Sequence, residues 1–351
     1  MKSASAKVSV NRGILCATIV AWIGLSGLSA QQAAAKSAPA AKAAPASAPT
    51  GASTAKGKAA TTPATAKAFD TPQQAADALV AAAEKFDVPA LEQIFGRDGM
   101  DVIFTGDFAQ DRRDAADFAA EAREKKKVSI DPKAANRAFL VVGNEDWPFP
   151  VPLARRGGKW FFDANEGREE LMVRRIGANE LDAIDICRGY VEAQDEYAEK
   201  YGPRPPTMPD ISQYAQRIVS TPGKHDGLAW QNPDGTWGGP IGENIAKAIE
   251  QGYNPDKPEP YHGYFFKILK GQGPAAPLGQ LDFVVHGLMI GGFALVAAPA
   301  EYGVTGVSSF IVSNDGVVYE KDLGPQTLDQ FKQMERYNPD SSWTPVPRKV
   351  E

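Results

Sequence analysis

The sequence predicts an α+β fold made of two successive units. Helix-type apolar spacing occupies residues 71–127, and short apolar segments separated by turn residues follow in 128–162. A small helix-plus-antiparallel-sheet unit is the natural assembly for residues 69–178. In residues 179–351, a long helix precedes a series of apolar strands, which predicts a helix lying across an antiparallel meander.

The N-terminus has the layout of a secretory signal peptide over residues 1–30. A basic start is followed by an apolar run from Ile14 to Leu28, and Leu28-Ser29-Ala30 offers a small-residue cleavage site. The alternative is an uncleaved anchor, but the apolar run is shorter than the ~20 residues that a spanning helix needs. We therefore expect an exported protein, periplasmic or envelope-associated, with no transmembrane helix after removal of the signal.

Residues 31–68 are expected to form a disordered linker. From Ala33 to Ala68 the chain contains only Ala, Pro, Ser, Thr, Gly and Lys, so no side chain there can anchor a core. Residues 1–67 carry eight basic residues and no acid, which leaves 30 basic and 43 acidic residues and a net charge of −13 in 68–351. This acidic body, residues 68–351, argues against a nucleic-acid partner.

The use of cysteine excludes an intramolecular disulfide in the mature chain. Cys16 leaves with the signal peptide, and Cys187 is then alone. Because Cys187 falls on the apolar side of a predicted helix, a buried, unreactive thiol is the preferred interpretation. A cysteine nucleophile would need a histidine partner, which the sequence does not reveal.

Helices are predicted first in the N-terminal unit. Thr71-Pro72-Gln73-Gln74 combines a capping residue, a proline suited to the first helical position and a glutamine that can close a capping box. A second, short helix ends at Gly96, and a third covers Asp111–Lys127, where the final lysines suit the helix dipole. Strands are then predicted at 128–130, 138–142, 151–155 and 159–162, with the proline-rich segment 147–152 as an edge or loop.

The C-terminal unit is predicted to start with the most regular helix of the chain. Asn179 is expected to cap an amphipathic helix over Glu180–Tyr201, which should lie across a sheet. An irregular segment over 202–260 contains one short helix, Glu243–Gln251. Strands are predicted at 263–269, 281–285, 292–298, 307–313 and 317–321, with an Asn-Asp-Gly hairpin turn before the last strand and a final helix over 326–337.

Several short segments in a fixed order give the chain a family resemblance. They are Trp147-Pro148-Phe149-Pro150, Arg174-Arg175-Ile176-Gly177 with Asn179-Glu180-Leu181, Tyr261-His262-Gly263-Tyr264, and Gly291–Val296 followed by Pro299–Gly303. Together they resemble the bacterial family named domain of unknown function 2950, over nearly everything from Phe69 onward. The resemblance implies an exported bacterial protein and no particular activity.

The C-terminal half also resembles the globular head of type IV pilins and pseudopilins. The order of a long helix with Tyr197, a Gly/Pro-rich loop, a strand ending in Pro299 and an Asp315-Gly316 hairpin carries this resemblance. It implies a pilin-head-like unit. Since the apolar pilin helix and its leader are absent from the start of this unit at Glu180, the resemblance extends to the fold and not to fibre assembly.

Histidine offers few candidates for chemistry. The chain has three histidines, none with the spacing of a helical zinc site and none clustered with cysteine. His262 is the best candidate for a general acid or base because it begins a strand between aromatic residues. The alternative, which we prefer, is a structural histidine bonded to backbone carbonyls.

A second candidate is the loop over residues 230–237. Asn232 and Asp234 supply oxygen ligands between Trp230 and Trp237, so calcium binding or carbohydrate stacking is conceivable. The spacing does not match an EF-hand loop. Simple turn chemistry, with the tryptophans folding the loop down, is the preferred alternative.

The segment Tyr261–Phe266 contains four aromatic residues in six. Strand alternation predicts that Tyr261 faces one side, whereas His262 and Tyr264 face the other. One side must be core, and an exposed second side would form a contact surface.

These observations favour a non-catalytic binding or scaffold protein of the cell envelope, without a cofactor. Its partner would be an envelope protein or polymer, contacted through Trp230, Asp234, Trp237, Tyr261, His262 and Tyr264. One alternative is a hydrolase acting on an envelope polymer with His262 as acid or base. A further alternative is a calcium-dependent binder using Asn232 and Asp234.

Overall fold

The computed structural model describes residues 66–204, 211–250, 254, 256–257 and 259–348. The predicted signal peptide and residues 31–65 of the predicted linker lie outside the described residues. The chain divides into two compact units, here called the first unit (66–171) and the second unit (172–348). In the part of the chain described, no helix is both long enough and apolar enough to cross a membrane.

Three α-helices and a 3₁₀ turn form one side of the first unit. They are α1 (Pro72–Glu84), α2 (Val88–Phe95), the turn Arg97–Val102, and α3 (Phe108–Glu124). The Thr71 hydroxyl accepts a hydrogen bond from the Gln74 amide at 3.1 Å, as predicted for this cap. The helix pattern of the sequence therefore identified α1 from its first residue.

Helix α3 lies one turn earlier than predicted. The Asp107 carboxylate accepts hydrogen bonds from the amides of Ala109 and Gln110, both at 3.0 Å, and so starts the helix before Asp111. The helix ends at Glu124, and Lys126 and Lys127 begin the first strand. The prediction that the lysines complete the helix was wrong, because strand pairing with 141–142 competes for their backbone.

The first unit contains an antiparallel sheet in the order β1-β2-β4-β5, with β3 paired to β2. Its strands are β1 (Lys126–Asp131), β2 (Ala134–Val142), β3 (Trp147–Pro148), β4 (Leu153–Arg156) and β5 (Lys159–Phe162). The proline-rich segment provides the two-residue β3 and then a loop, as predicted. Phe149 from this loop is buried among helix and strand side chains and joins the two layers into one core.

Helix α4 (Ala164–Lys200) is longer than the predicted helix by more than four turns. The carboxylate of Asp163 accepts the Glu166 amide at 3.3 Å near its start. Asn179 was predicted to cap the helix, but its side chain donates to the Thr305 carbonyl at 2.8 Å. The cap prediction was wrong because a residue with capping chemistry can instead bind a distant backbone group. The boundary that the sequence predicted between the two units, at 178/179, falls inside the helix.

The second unit is organised around a five-stranded antiparallel sheet in the order β17-β16-β15-β14-β9. Every residue of the inner strand β14 is buried, which requires cover on both of its faces. Tyr190 and Cys187 of α4 belong to the same hydrophobic cluster as the sheet. The strands are β9 (Tyr264–Leu269), β14 (Ala294–Pro299), β15 (Ser308–Ser313), β16 (Tyr319–Asp322) and β17 (Thr344–Pro345).

Shorter elements complete the second unit. The predicted irregular segment contains a small sheet, β6-β7-β8, and the predicted helix, which is α5. Helix α6 is shorter than predicted at its C-terminal end, where Met334 takes an extended conformation. The remaining bounds are β6 (Arg217–Val219), β7 (Gly227–Gln231), β8 (Trp237–Gly238), α5 (Gly242–Glu250), β10 (Gly271–Gln272), β11 (Leu281–Asp282), β12 (Val284–Val285), β13 (Leu288–Met289) and α6 (Thr327–Gln333).

Candidate functional site

The segment around His262 is a tight turn and not the start of a strand. His262 and Gly263 both have positive φ, +49° and +72°, and the amides and carbonyls of Tyr261 and Tyr264 are reciprocally hydrogen-bonded. This is the arrangement of a type I′ turn, in which both central residues are left-handed. The predicted strand alternation from Tyr261 was therefore wrong, because alternation begins only at Tyr264.

The turn brings His262 onto helix α4. The His262 Nδ1 atom lies 2.6 Å from Asp182 Oδ2, and the Tyr261 ring packs edge-on against the imidazole at 4.2 Å between centroids. The His262 side chain is 9 % exposed, whereas that of Asp182 is 42 % exposed. A carboxylate on one imidazole nitrogen fixes the orientation of the ring, which serves both a structural and a catalytic histidine.

Two further helix residues hold the loop that follows β14. One Glu180 carboxylate oxygen accepts hydrogen bonds from the amides of Val307 and Ser308, both at 2.9 Å. The side-chain amide of Asn179 donates to the Thr305 carbonyl. A Cβ atom at position 263 would lie only 2.6 Å from the nitrogen of the same side chain, so this position suits glycine. We call Asn179, Glu180, Asp182, His262 and Tyr264 the helix–turn cluster.

The interior of the helix–turn cluster disfavours charge. Tyr264 is fully buried, and its hydroxyl donates to the Ser308 carbonyl at 2.9 Å. Burial and then the negative charge of Glu180 raise the pKa of the Tyr264 hydroxyl. The same two causes raise the pKa of the Glu320 carboxyl above its ordinary 4.5. Tyr264 thus stays neutral and serves packing, so its side chain is not available as contact surface.

The second predicted site is a closed hairpin turn. The Asp234 carboxylate accepts hydrogen bonds from the amide and the hydroxyl of Thr236, at 3.0 and 2.6 Å, and these bonds lower its pKa. The Asn232 side chain donates to the Thr236 hydroxyl at 3.0 Å. These side chains already satisfy one another, which is the turn chemistry that we preferred for this loop.

The two tryptophans of this hairpin do not form a joint platform. Trp237 pairs with Gln231 across the ladder, whereas Trp230 pairs with Gly238, which places the two rings on opposite faces. Trp230 is 6 % exposed and packs against the rings of Tyr201 and His225, whereas Trp237 is half-buried. A sugar could therefore stack on Trp237 alone.

The hairpin and the helix–turn cluster are separate regions of the second unit. His262 contacts Asp182 of α4, and Trp230 contacts Tyr201, which directly follows the last residue of α4 and lies nineteen residues further along the chain. At ~1.5 Å per residue the two contacts are about 28 Å apart along the helix. The six residues that were predicted to form one contact region thus lie in two separate regions, and two of them, Trp230 and Tyr264, are buried.

The helix–turn cluster brings together segments that are far apart in sequence. Three of the segments that carry the resemblance, 179–181, 261–264 and 299–303, lie together there: Ala300 donates its amide to the Gly263 carbonyl at 2.9 Å. The family described as "Protein of unknown function (DUF2950)" matches residues 66–346. The chain belongs to the DUF2950 family.

The match covers both units of this DUF2950 protein and confirms the family resemblance seen in the sequence. No curated protein and no solved structure matches the chain. The likeness of the second unit to pilin heads therefore stays a prediction.

Sequence reasoning missed the helix side of the cluster. The amphipathic pattern of the helix did not predict a partner for Asp182, and it predicted Asn179 as a cap, whereas the structure joins both to distant segments. A carboxylate at the edge of a helical apolar stripe is compatible with either solvent or a polar partner, so the pattern could not distinguish them. In the described residues, no group of three or more His, Cys, Asp or Glu side chains is placed to hold a metal ion.

Cys187 of this DUF2950 protein is expected to be inert in the folded state. The thiol is fully buried under the sheet, and burial raises its pKa to about 12. Iodoacetamide at pH 8 should leave Cys187 unmodified in the native protein and modify it in urea, as read by peptide mass spectrometry. Rapid native modification would contradict the buried placement.

Proposed function

We propose that this protein is an exported, envelope-associated binding or scaffold module without catalytic activity. The observation that carries the proposal is the role of His262, the best candidate for acid–base chemistry. Its ring is nearly enclosed, contacts Asp182 and Tyr261, and connects the β9 turn to helix α4. A histidine used in this way stabilises the fold, and the contact surface is then supplied by exposed loops.

The compartment and the partner class rest on the sequence. The basic start, apolar run and small-residue site of residues 1–30 support export, and the acidic body supports a partner other than nucleic acid. An envelope protein or polymer is the partner class that these properties favour. The calcium alternative would use Asn232 and Asp234, and Asp234 already accepts two hydrogen bonds within the turn.

A hydrolase is the second candidate function. It is favoured by the 2.6 Å contact between His262 and Asp182, because a carboxylate orients a histidine base in the same manner in many hydrolytic sites. The carboxylate is 42 % exposed, so the pair lies close to the surface of the second unit. The two candidates differ in what removal of the imidazole should do.

Replacing His262 with asparagine should lower the melting temperature by about 3–8 °C, because a hydrogen bond to a charged group contributes roughly 1.5–3 kcal/mol. Asparagine tolerates positive φ, so the change removes the ring and keeps the turn. Differential scanning calorimetry measures this effect. A parallel assay on peptidoglycan fragments and envelope glycans should detect no turnover by the wild-type protein.

His286 offers a matched control. It occupies an equivalent His-Gly turn between β12 and β13, with φ of +52° and +81°, and its side chain is exposed. His286→Asn should leave the melting temperature unchanged. Wild-type turnover that disappears in His262→Asn at an unchanged melting temperature would instead establish the hydrolase.

A further inference from the structure

The loop between β10 and β11 presents a leucine to solvent in a strained conformation. Leu278 is 97 % exposed, the highest value among the large exposed hydrophobic side chains of the described residues. Its φ is +68°, in the left-handed region that leucine rarely occupies. Gly279 donates its amide to the Ala276 carbonyl at 3.0 Å, so Pro277 and Leu278 are the central residues of a turn. Glycine or asparagine is the usual residue at such a position.

The strain is maintained by a buried side chain. Gln272 is 5 % exposed, and its amide group donates to the Pro277 carbonyl and, at 2.7 Å, to the Gly279 carbonyl. These are the two carbonyls that flank Leu278. Gln272 therefore holds the backbone on both sides of Leu278 in the turn conformation.

The base of the loop is held equally firmly. The Asn338 side chain accepts the Ala275 amide at 2.9 Å, and Arg336 donates to the Gln272 and Leu281 carbonyls, both at 3.2 Å. The Gly273 amide donates to the Tyr337 carbonyl at 2.8 Å. A loop held by this many bonds loses little conformational entropy when it binds, which favours association.

The chemistry of the loop indicates what it contacts. Residues 271–280 contain no charged side chain, and Pro274, Ala275, Pro277 and Leu278 are exposed. Leu281, which pairs with Gln272 at the base, is 39 % exposed and extends the apolar surface. An uncharged, rigid apolar tip fits an apolar pocket on a protein, whereas binding to an anionic membrane surface is usually supported by basic residues.

We infer that Leu278 is the anchor of a docking loop, residues 273–280, that inserts into an apolar pocket of a protein partner. This inference rests on the proposed binding function and assigns its contact surface to a loop outside the two regions predicted from sequence. The strained backbone of Leu278 does not help the fold, and strain of this kind is characteristic of residues with a function. Burial of a leucine side chain accounts for about a 10- to 100-fold gain in affinity.

The test places a benzophenone amino acid at position 278 of the full chain, and separately at Gln231 of the predicted contact region, in the cells that produce the protein. We expect a discrete adduct from position 278 that maps to apolar residues of one partner protein. With that partner purified, Leu278→Asn should weaken binding about 10- to 100-fold. Gln280→Ala, an exposed change two residues away, should leave the affinity unchanged.

Stability measurements separate docking from a structural role. Asparagine accepts the left-handed backbone and removes the apolar side chain, so Leu278→Asn should melt at the wild-type temperature or slightly above it. A fall of several degrees would show that the leucine supports the fold, and would overturn the inference.

The other outcomes of the cross-linking test show whether the docking loop, the proposed binding function or both are wrong. Adducts from Gln231 but not from position 278 overturn the inference and leave the binding function standing, whereas adducts from neither position count against both. Adducts solely to a second copy of the chain overturn the assignment to a different partner. Co-flotation with phosphatidylglycerol–phosphatidylethanolamine vesicles that Leu278→Asn abolishes would assign the loop to lipid, and would also overturn it.

Discussion

Replacing Phe149 with alanine should destabilise the first unit by about 3–5 kcal/mol, the cost typical of removing a buried phenylalanine. The ring is 1 % exposed and lies 5.3 Å from the Phe118 ring, 5.9 Å from Phe162 and 6.4 Å from Phe95. The substitution would leave a cavity among these rings, whose backbones are held in α3, β5 and α2 and can relax only partly.

Urea denaturation with hydrogen exchange read by mass spectrometry would measure the effect on residues 66–171. Phe149→Leu is the matched control, because it keeps most of the apolar volume and should lose less than half as much stability. Neither change affects the hydrogen bond, 2.8 Å long, that the backbone amide of residue 149 donates to the Leu140 carbonyl. Equal effects of alanine and leucine would show that the aromatic packing around position 149 is not as described.

Replacing Glu180 with alanine should cost the second unit about 2–4 kcal/mol. Its carboxylate accepts two backbone amides at 2.9 Å, and hydrogen bonds to charged groups contribute roughly 1.5–3 kcal/mol each, less where water has partial access. Without the carboxylate, the amides of Val307 and Ser308 lose their acceptor at the start of β15. Calorimetry and exchange protection of residues 305–309 would measure the loss.

Glu180→Gln is the matched control, since the glutamine carbonyl can still accept a hydrogen bond. It should recover at least half of the stability that alanine loses. If glutamine and alanine are equally destabilising, the charge and not the hydrogen bonds holds the loop.

The same substitution should alter the dependence of stability on pH. Burial and the charge of Glu180 raise the pKa of Glu320, so Glu320 contributes stability that is present below pH 4.5 and is lost as the pH rises through the raised value. Glu180→Gln removes the like charge and should make this loss smaller. Melting temperatures measured upward from pH 4 would show the difference.

Local chemistry explains which elements of the fold were predictable. The start of α1 depends on Thr71 and Gln74, which are neighbours in sequence, and the proline-rich edge depends on amides that proline lacks. The early start of α4 was not predictable in this way, because Asn179 has good capping chemistry and yet binds the Thr305 carbonyl 126 residues away. At this position the side chain of Asn179 makes a tertiary hydrogen bond from inside the helix, and its capping preference is not used.

The features of the candidate site were likewise predictable only where they depend on residues that are close in sequence. The sequence alone determined the α+β class, the family and the turn chemistry of Asn232 and Asp234, since each depends on short-range patterns. Only the tertiary structure decided that His262 meets Asp182, that Trp230 and Tyr264 are buried, and that Gln272 binds the turn that carries the exposed Leu278. The reason is physical: a side chain's burial and hydrogen-bond partner depend on elements distant in sequence, which local periodicity does not encode.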